Sequence, residues 1–86
     1  MSFKLSVITP AGQAFEGEVT SVAAPGVLGG FEVYSGHVCM VAALKPGKFL
    51  IRTASGVSAL AVSDGILEVS PGHNVLVLAD RAVPEQ

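Results

Sequence analysis

The sequence has one cysteine, no tryptophan, and charged residues at only 14% of its 86 positions. A single thiol, Cys39, excludes an internal disulfide framework, so a hydrophobic core must hold the chain together. At this length one domain with one core is expected, removing roughly 60–65% of the unfolded chain's surface from water. The longest apolar run, Val38 to Leu44, has seven residues, where a membrane-spanning helix needs roughly 20. The N-terminus carries one lysine and reaches Pro10 too soon for a signal or transit peptide, so a soluble cytoplasmic protein is expected. Positive charge is also scarce. Five cations, Lys4, Lys45, Lys48, Arg52 and Arg81, lie scattered in a chain of net charge −2. That leaves no electrostatic footprint for nucleic acid.

What is present is apolar residues and turns. Hydrophobic residues make up 50% of the chain. A small domain has much surface, and here few charges to cover it, so exposed or partner-covered apolar surface is expected. The composition points to a subunit. Turn signals recur at short intervals: Pro10-Ala11-Gly12, Pro25-Gly26, Gly29-Gly30, Ser35-Gly36, Pro46-Gly47, Ser55-Gly56, Asp64-Gly65 and Pro71-Gly72. The short β-rich runs between them predict an all-β protein, a small sandwich or barrel. Phe3, Leu5 and Val7 share one face of the first run, and Phe49 and Ile51 share a face of the run from Lys48 to Thr53. Asp64-Gly65 is the clearest hairpin signal and suits a type I′ turn, with Ser55-Gly56 and Pro71-Gly72 closing neighbouring hairpins. Val57 to Val62 and Val75 to Ala79 are apolar on nearly every position, as strands covered on both faces are. Val38 to Lys45, bounded by Gly36 and Pro46, reads as a strand rather than a helix.

Chemistry fares poorly. The glycines from Gly26 to Gly36 lack the Gly-Lys-Ser of a nucleotide loop, and no helix follows to lend its positive end. His37 and Cys39 share a strand face and His73 is a distant third ligand, yet structural zinc wants four ligands in close pairs. A packed Cys39 and a hydrogen-bonded His37 is the plainer reading. Ser35 or Cys39 beside His37, with Glu32 or Asp64 as a third member, is the best nucleophilic constellation, and it lacks an evident oxyanion hole. Glu16 and Glu18 share a face among turn residues and read as solvated. A lipoyl or biotinyl carrier domain would present a lysine at a tight hairpin. Lys45 before Pro46-Gly47 is the one candidate, and Pro46 restricts the backbone there.

Three stretches carry a family resemblance: "VITPAGQAFEGEVTSVAAPG", "GGFEVYSGHVCMVAALKPG" and "SDGILEVSPGHNVLVLAD". Their Phe15, Gly17 and Val19, Gly36-His37, Ala43 to Gly47 and Gly65 to Val69 resemble, in order, the epsilon subunit of the bacterial F-type ATP synthase. The resemblance covers nearly all 86 residues. It implies a flattened two-sheet β-sandwich of about ten short strands, spanning residues 1–86 as one domain. It implies no catalytic, cofactor-binding or metal-binding residue. The implied partners are the gamma subunit and the c-subunit ring, with which this domain turns as part of the central stalk. The membrane is met only indirectly, through the complex at the cytoplasmic face of the bacterial inner membrane.

Carried over position by position, the resemblance assigns the glycine-rich loop with Gly29, Gly30, Phe31, Glu32 and His37 to the c-ring. It assigns Met40, Ala42, Leu44, Gly47 and Lys48 to gamma, with Ile8 available to the same kind of dry surface. Three departures stand out. Ser35 replaces a usual proline. Gly30 replaces a common acidic residue while Glu32 takes a usual glycine position. Two positions along an extended chain return to the same side, so Glu32 is expected to supply the carboxylate facing the ring. Lastly, the sequence stops before the two-helix hairpin of many members, so neither ATP binding nor helix-mediated inhibition is expected of it.

Overall fold

The computed structural model describes residues 1–36, 39–70 and 74–85. It contains ten strands: β1 (Phe3–Thr9), β2 (Gly12–Val19), β3 (Ser21–Gly26), β4 (Gly29–Tyr34), β5 (Met40–Leu44), β6 (Gly47–Thr53), β7 (Gly56–Val62), β8 (Gly65–Ser70), β9 (Asn74–Ala79) and β10 (Ala82–Glu85). No helix occurs among the described residues, and the expected all-β sandwich is what the chain forms. Pairing gives two layers, β2-β1-β9-β8-β5 and β10-β7-β6-β3-β4, which meet where Gly26 of β3 pairs with Leu44 of β5. β1 and β9 run parallel, and the other pairs are antiparallel.

The alternation read from sequence sets the core. Leu5 and Val7 of β1 are buried, as are Phe49 and Ile51 of β6, Leu67 of β8 and Val77 of β9. Their neighbours along each strand turn outward, because successive side chains on a strand leave opposite faces. This interior leaves no buried polar side-chain atom unpartnered among the described residues.

Three hairpins obey one local rule. Two turn residues are followed by a glycine that starts the next strand: Pro10-Ala11-Gly12, Val27-Leu28-Gly29 and Ala54-Ser55-Gly56. Those glycines have φ of 133°, 133° and 147°, a region closed to residues bearing a β-carbon except under strain. Threonine precedes two of these turns, and its hydroxyl donates to the glycine carbonyl, at 3.0 Å from Thr9 to Gly12 and 3.3 Å from Thr53 to Gly56. The Ser55-Gly56 expectation is therefore met. β8 and β9 also pair as a hairpin, with Ser70 opposite Asn74, while Pro71 and Gly72 lie outside the described residues.

Asp64-Gly65 is not a hairpin. β7 pairs with β6 and β10, whereas β8 pairs with β5 and β9. β7 and β8 are consecutive lengths of one strand that bends between layers, and β9 and β10 bend beside them. The paired corner is stitched by Ser63 N–H to the Arg81 carbonyl (3.0 Å), Arg81 N–H to Ser63 Oγ (2.9 Å) and Asp80 N–H to the Asp64 carbonyl (3.2 Å). Gly65 is required for closeness rather than for a turn, since a β-carbon there would run into the Leu78 carbonyl oxygen. A second corner joins β5 to β6 through Lys45 and Pro46. There a β-carbon on Gly47 would come within 2.8 Å of Pro25 Cβ, and Lys45 N–H donates to the Pro25 carbonyl at 2.9 Å.

Candidate partner-binding surfaces

β9 and its neighbours show why the runs were apolar on both faces. The inward set fills the core, but the outward set is uncovered. In the first layer Ile8, Leu78, Ile66 and Ala43 stand in register across β1, β9, β8 and β5, and Leu78 and Ile66 are each 48% exposed. The next row outward reads Ser6, Leu76, Glu68 and Val41, and the one beyond it Lys4, Asn74 and Ser70. The face therefore grades from apolar to polar. At the polar end Lys4 Nζ lies 2.8 Å from Glu16 Oε2. This pairing and its hydrogen bond hold the Lys4 ammonium above its usual pKa, and Lys4 and Gln13 hold the Glu16 carboxyl below its own. Glu18 accepts a bond from Ser2 Oγ at 2.7 Å. Both glutamates stand on strand β2 rather than in a turn, as solvated side chains.

The glycine-rich segment is not a loop. Gly26 and Gly29 face each other across a two-residue turn, and Gly29, Gly30, Phe31 and Glu32 form most of β4. The turn is tight because a β-carbon on Gly26 would sit 2.6 Å from the Gly29 carbonyl oxygen. Its tip exposes Val27 and, completely, Leu28. Val27 N–H donates to the Ala43 carbonyl at 3.0 Å, which lays the tip against β5. Between them is a cleft of about 530 Å³, lined by Gly29, Gly30 and Phe31 on one side and Met40 and Ala42 on the other. Residues assigned from sequence to two different partners thus share one cleft. His37 lies outside the described residues.

On β5 the outward positions belong to Val41 and Ala43. Leu44 is 3% exposed and belongs to the core, and Met40 is packed against that core. Ala42 has the same inward phase, being paired with Leu67. All five β5 residues are apolar, so only the register with β8 separates the inward set from the outward one. Cys39, expected to be packed, is exposed, since its neighbour Met40 takes the inward position.

Glu32 and Lys48 stand on the outer face of the second layer, on either side of a trough of about 400 Å³ floored by Ala23 and Leu50. Glu32 Oε1 accepts from Tyr34 Oη at 2.8 Å, two residues along the same face. That bond and the carboxylate's charge hold the Tyr34 hydroxyl above its usual pKa, so it stays a donor. Lys48 Nζ reaches Glu85 Oε1 at 3.0 Å across β7, where Ala59 and Ala61 keep the crossing low. Gly47 is half-buried at the corner beneath Pro25.

Of the two alternative third members of a nucleophilic constellation, Glu32 is on the outer face of one layer and Asp64 lines a depression on the other, while the His37 they would serve lies outside the described residues. No group of three metal-ligating side chains occurs among the described residues. Lys45 sits at a strand corner, not at the hairpin apex that a carrier domain needs. No helix is long and apolar enough to cross a membrane among the described residues.

Residues 2–85 match the family described as ATP synthase, Delta/Epsilon chain, beta-sandwich domain. The ATP synthase epsilon chain of Helicobacter acinonychis (strain Sheeba) is 45% identical over 80 residues, covering 93% of this chain and 64% of the relative. That of Chlorobium limicola is 39% identical over 80 residues, covering 92% of this chain and 91% of the relative. The chain thus spans under two thirds of the Helicobacter relative's length and most of the Chlorobium one. A chain in the solved Euglena gracilis mitochondrial ATP synthase, OSCP/F1/c-ring in rotational state 1, superposes with a TM-score of 0.90 at 21% identity. That alignment covers 96% of this chain and 53% of the other, and is a likeness of fold. Sequence motifs, the all-β sandwich and the match from residue 2 to residue 85 agree: the chain belongs to the ATP synthase delta/epsilon chain β-sandwich domain family.

Proposed function

We propose that this chain is a non-catalytic central-stalk subunit of an F-type ATP synthase, joining the gamma subunit to the c-subunit ring. In this role it turns with both and couples ion flow to ATP synthesis. The observation that carries the reading is the uncovered apolar face of a domain whose own core is already complete. Such a face is stable in water only at a cost, and a partner that buries it recovers roughly 25 cal/mol per Å². The epsilon chains that this sequence resembles supply the identity of the assembly.

Within that reading, β5 and the Lys45–Gly47 corner meet gamma. Val41 and Ala43 carry the contact, because Met40, Ala42 and Leu44 point inward. The β3–β4 hairpin meets the ring, through Leu28 at its tip and Glu32 on β4. A rotor joint of this kind must not slip, and dry packing resists shear better than a wet rim. The assembly lies peripherally at the cytoplasmic face of the bacterial inner membrane.

Co-expression with gamma and the c-ring of the same synthase tests the proposal. A stoichiometric complex that survives gel filtration is the expected result. Recovery of the chain alone, with gamma and ring intact and bound to each other, would defeat the reading. Intact-mass measurement of the native protein gives a separate check, because a carrier domain would show a lipoyl or biotinyl adduct on Lys45.

A further inference from the structure

Three strands pair with a neighbour along one edge only among the described residues: β2, β4 and β10. Such an edge offers its free N–H and C=O groups to any extended chain, and soluble proteins commonly blunt it. β2 is blunted. Ala14 is an extra residue where its register with β1 shifts, and Glu16 and Glu18 stand beyond that bulge. β10 has four residues and includes Pro84, which has no N–H to give. β4 has none of these devices. Its six residues contain no proline and no lysine, and its register with β3 runs unbroken from Gly26–Gly29 to Ser21–Tyr34.

The turn sets the phase of this edge. Gly26 and Gly29 close the two-residue hairpin as a hydrogen-bonded pair, and bonded pairs alternate with non-bonded ones along an antiparallel ladder. Pro25 obeys that order, since its carbonyl turns away from β4 to accept from Lys45 N–H at 2.9 Å. Phe31 and Val33 therefore bond to β3. Gly30, Glu32 and Tyr34 aim their backbone groups outward.

We propose that a second copy of this chain pairs with that edge, β4 against β4, antiparallel about a two-fold axis at Phe31. Outward-aimed positions must face one another, and a two-fold pairing keeps the sum of facing residue numbers constant. Glu32 opposite itself sets two carboxylates face to face, which is unfavourable. Gly30 opposite itself, or Glu32 opposite Tyr34, overlaps only three residues of β4. Gly30 opposite Glu32 of the second copy overlaps five and gives each carboxylate a residue without a side chain to face. The same register brings the two Phe31 side chains together, each half-buried against its own core. It also sets each fully exposed Leu28 opposite Tyr34 of the other copy.

A ladder of this length covers less than the roughly 1,200 Å² that lasting complexes bury. The pairing is therefore weak, with monomer at micromolar concentration and dimer towards millimolar. Leu28 and Glu32, which the proposed function gives to the ring, are covered in it, so it belongs to the unassembled chain. Its test needs neither gamma nor the ring and fails separately from that reading.

Amide hydrogen exchange of the whole chain at about 0.02 mM and about 1 mM supplies the test. Exchange at Gly30 and Glu32 is expected to slow about twofold or more at the higher concentration, and the average mass in sedimentation to rise with it. Amides of β2 and β10 are expected to exchange alike at both. Glu32→Pro removes one outward N–H without touching the ladder with β3, and is expected to stay folded and monomeric. Val57→Glu, on the outer face of the same layer, is expected to associate as the parent does. Unchanged exchange at Gly30 and Glu32 overturns the proposal, as does equal slowing along β2 or β10. Parent-like association in a folded Glu32→Pro variant, or an equal loss in Val57→Glu, overturns it as well. If Glu32→Pro does not fold, the exchange pattern of the parent decides alone.

Discussion

Leu44 shows how much a single residue's phase decides. Its backbone belongs to β5, which faces outward at Val41 and Ala43, yet its side chain is 3% exposed. Leu44→Ala is expected to destabilise the isolated chain by about 2–4 kcal/mol, while Val41→Ala leaves the denaturation midpoint nearly unchanged. Urea unfolding of the two variants separates the roles, and a neutral Leu44→Ala would return that residue to the partner surface. Glu32 is the opposite case. The sequence placed it on the side of Gly30, and it stands on the outer face of β4, accepting from Tyr34 two residues along at 2.8 Å. If its carboxylate meets basic loops of the ring, Glu32→Gln weakens assembly and coupled proton pumping at low salt, with the difference closing at high salt. Unchanged coupling in membrane vesicles at both ionic strengths would remove Glu32 from the contact. Phase was legible wherever polar and apolar residues alternate, as in Phe3 to Val7. It was illegible from Met40 to Leu44, where every residue is apolar.

At the scale of elements, some hairpins were readable and the corner at Asp64-Gly65 was not. Pro10-Ala11-Gly12 and Ala54-Ser55-Gly56 turn the chain by local backbone chemistry, which a few residues suffice to encode. Asp64-Gly65 has the composition of a turn too, but β7 and β8 separate into different layers because their partners, β10 and β9, do so beside them. That is a relation between distant segments. The two kinds of glycine should respond differently to alanine. Gly56→Ala meets nothing within 4 Å and strains only φ at 147°, a cost of about 1–2 kcal/mol. Gly65→Ala collides with backbone and is expected to cost about 2–3 kcal/mol, because the paired corner cannot yield locally. Denaturation midpoints rank the two. A smaller loss at Gly65 than at Gly56 would mean that the corner is looser than its hydrogen bonds imply.

For the whole molecule, composition was the most faithful guide. Few charges and many apolar residues implied a surface awaiting cover, and Val27, Leu28, Val41, Ile66 and Leu78 are indeed exposed. The same scarcity bears on nucleotides. Lys4 and Lys48 are already paired with Glu16 and Glu85, and the depressions beside Glu32, Gly29 and Ile66 are lined by no lysine or arginine other than Lys48. These 86 residues are therefore expected to give no heat of binding with ATP and magnesium, and micromolar affinity in a calorimeter would contradict that. The bent strands add a mechanical consequence. β7–β8 and β9–β10 pass through both layers as unbroken chain, so twisting one layer against the other loads peptide bonds and ladder hydrogen bonds as well as side-chain contacts. Under torque the slab behaves as a laminate sewn through its thickness, and the stitches at Ser63 and Arg81 lie where delamination would have to begin.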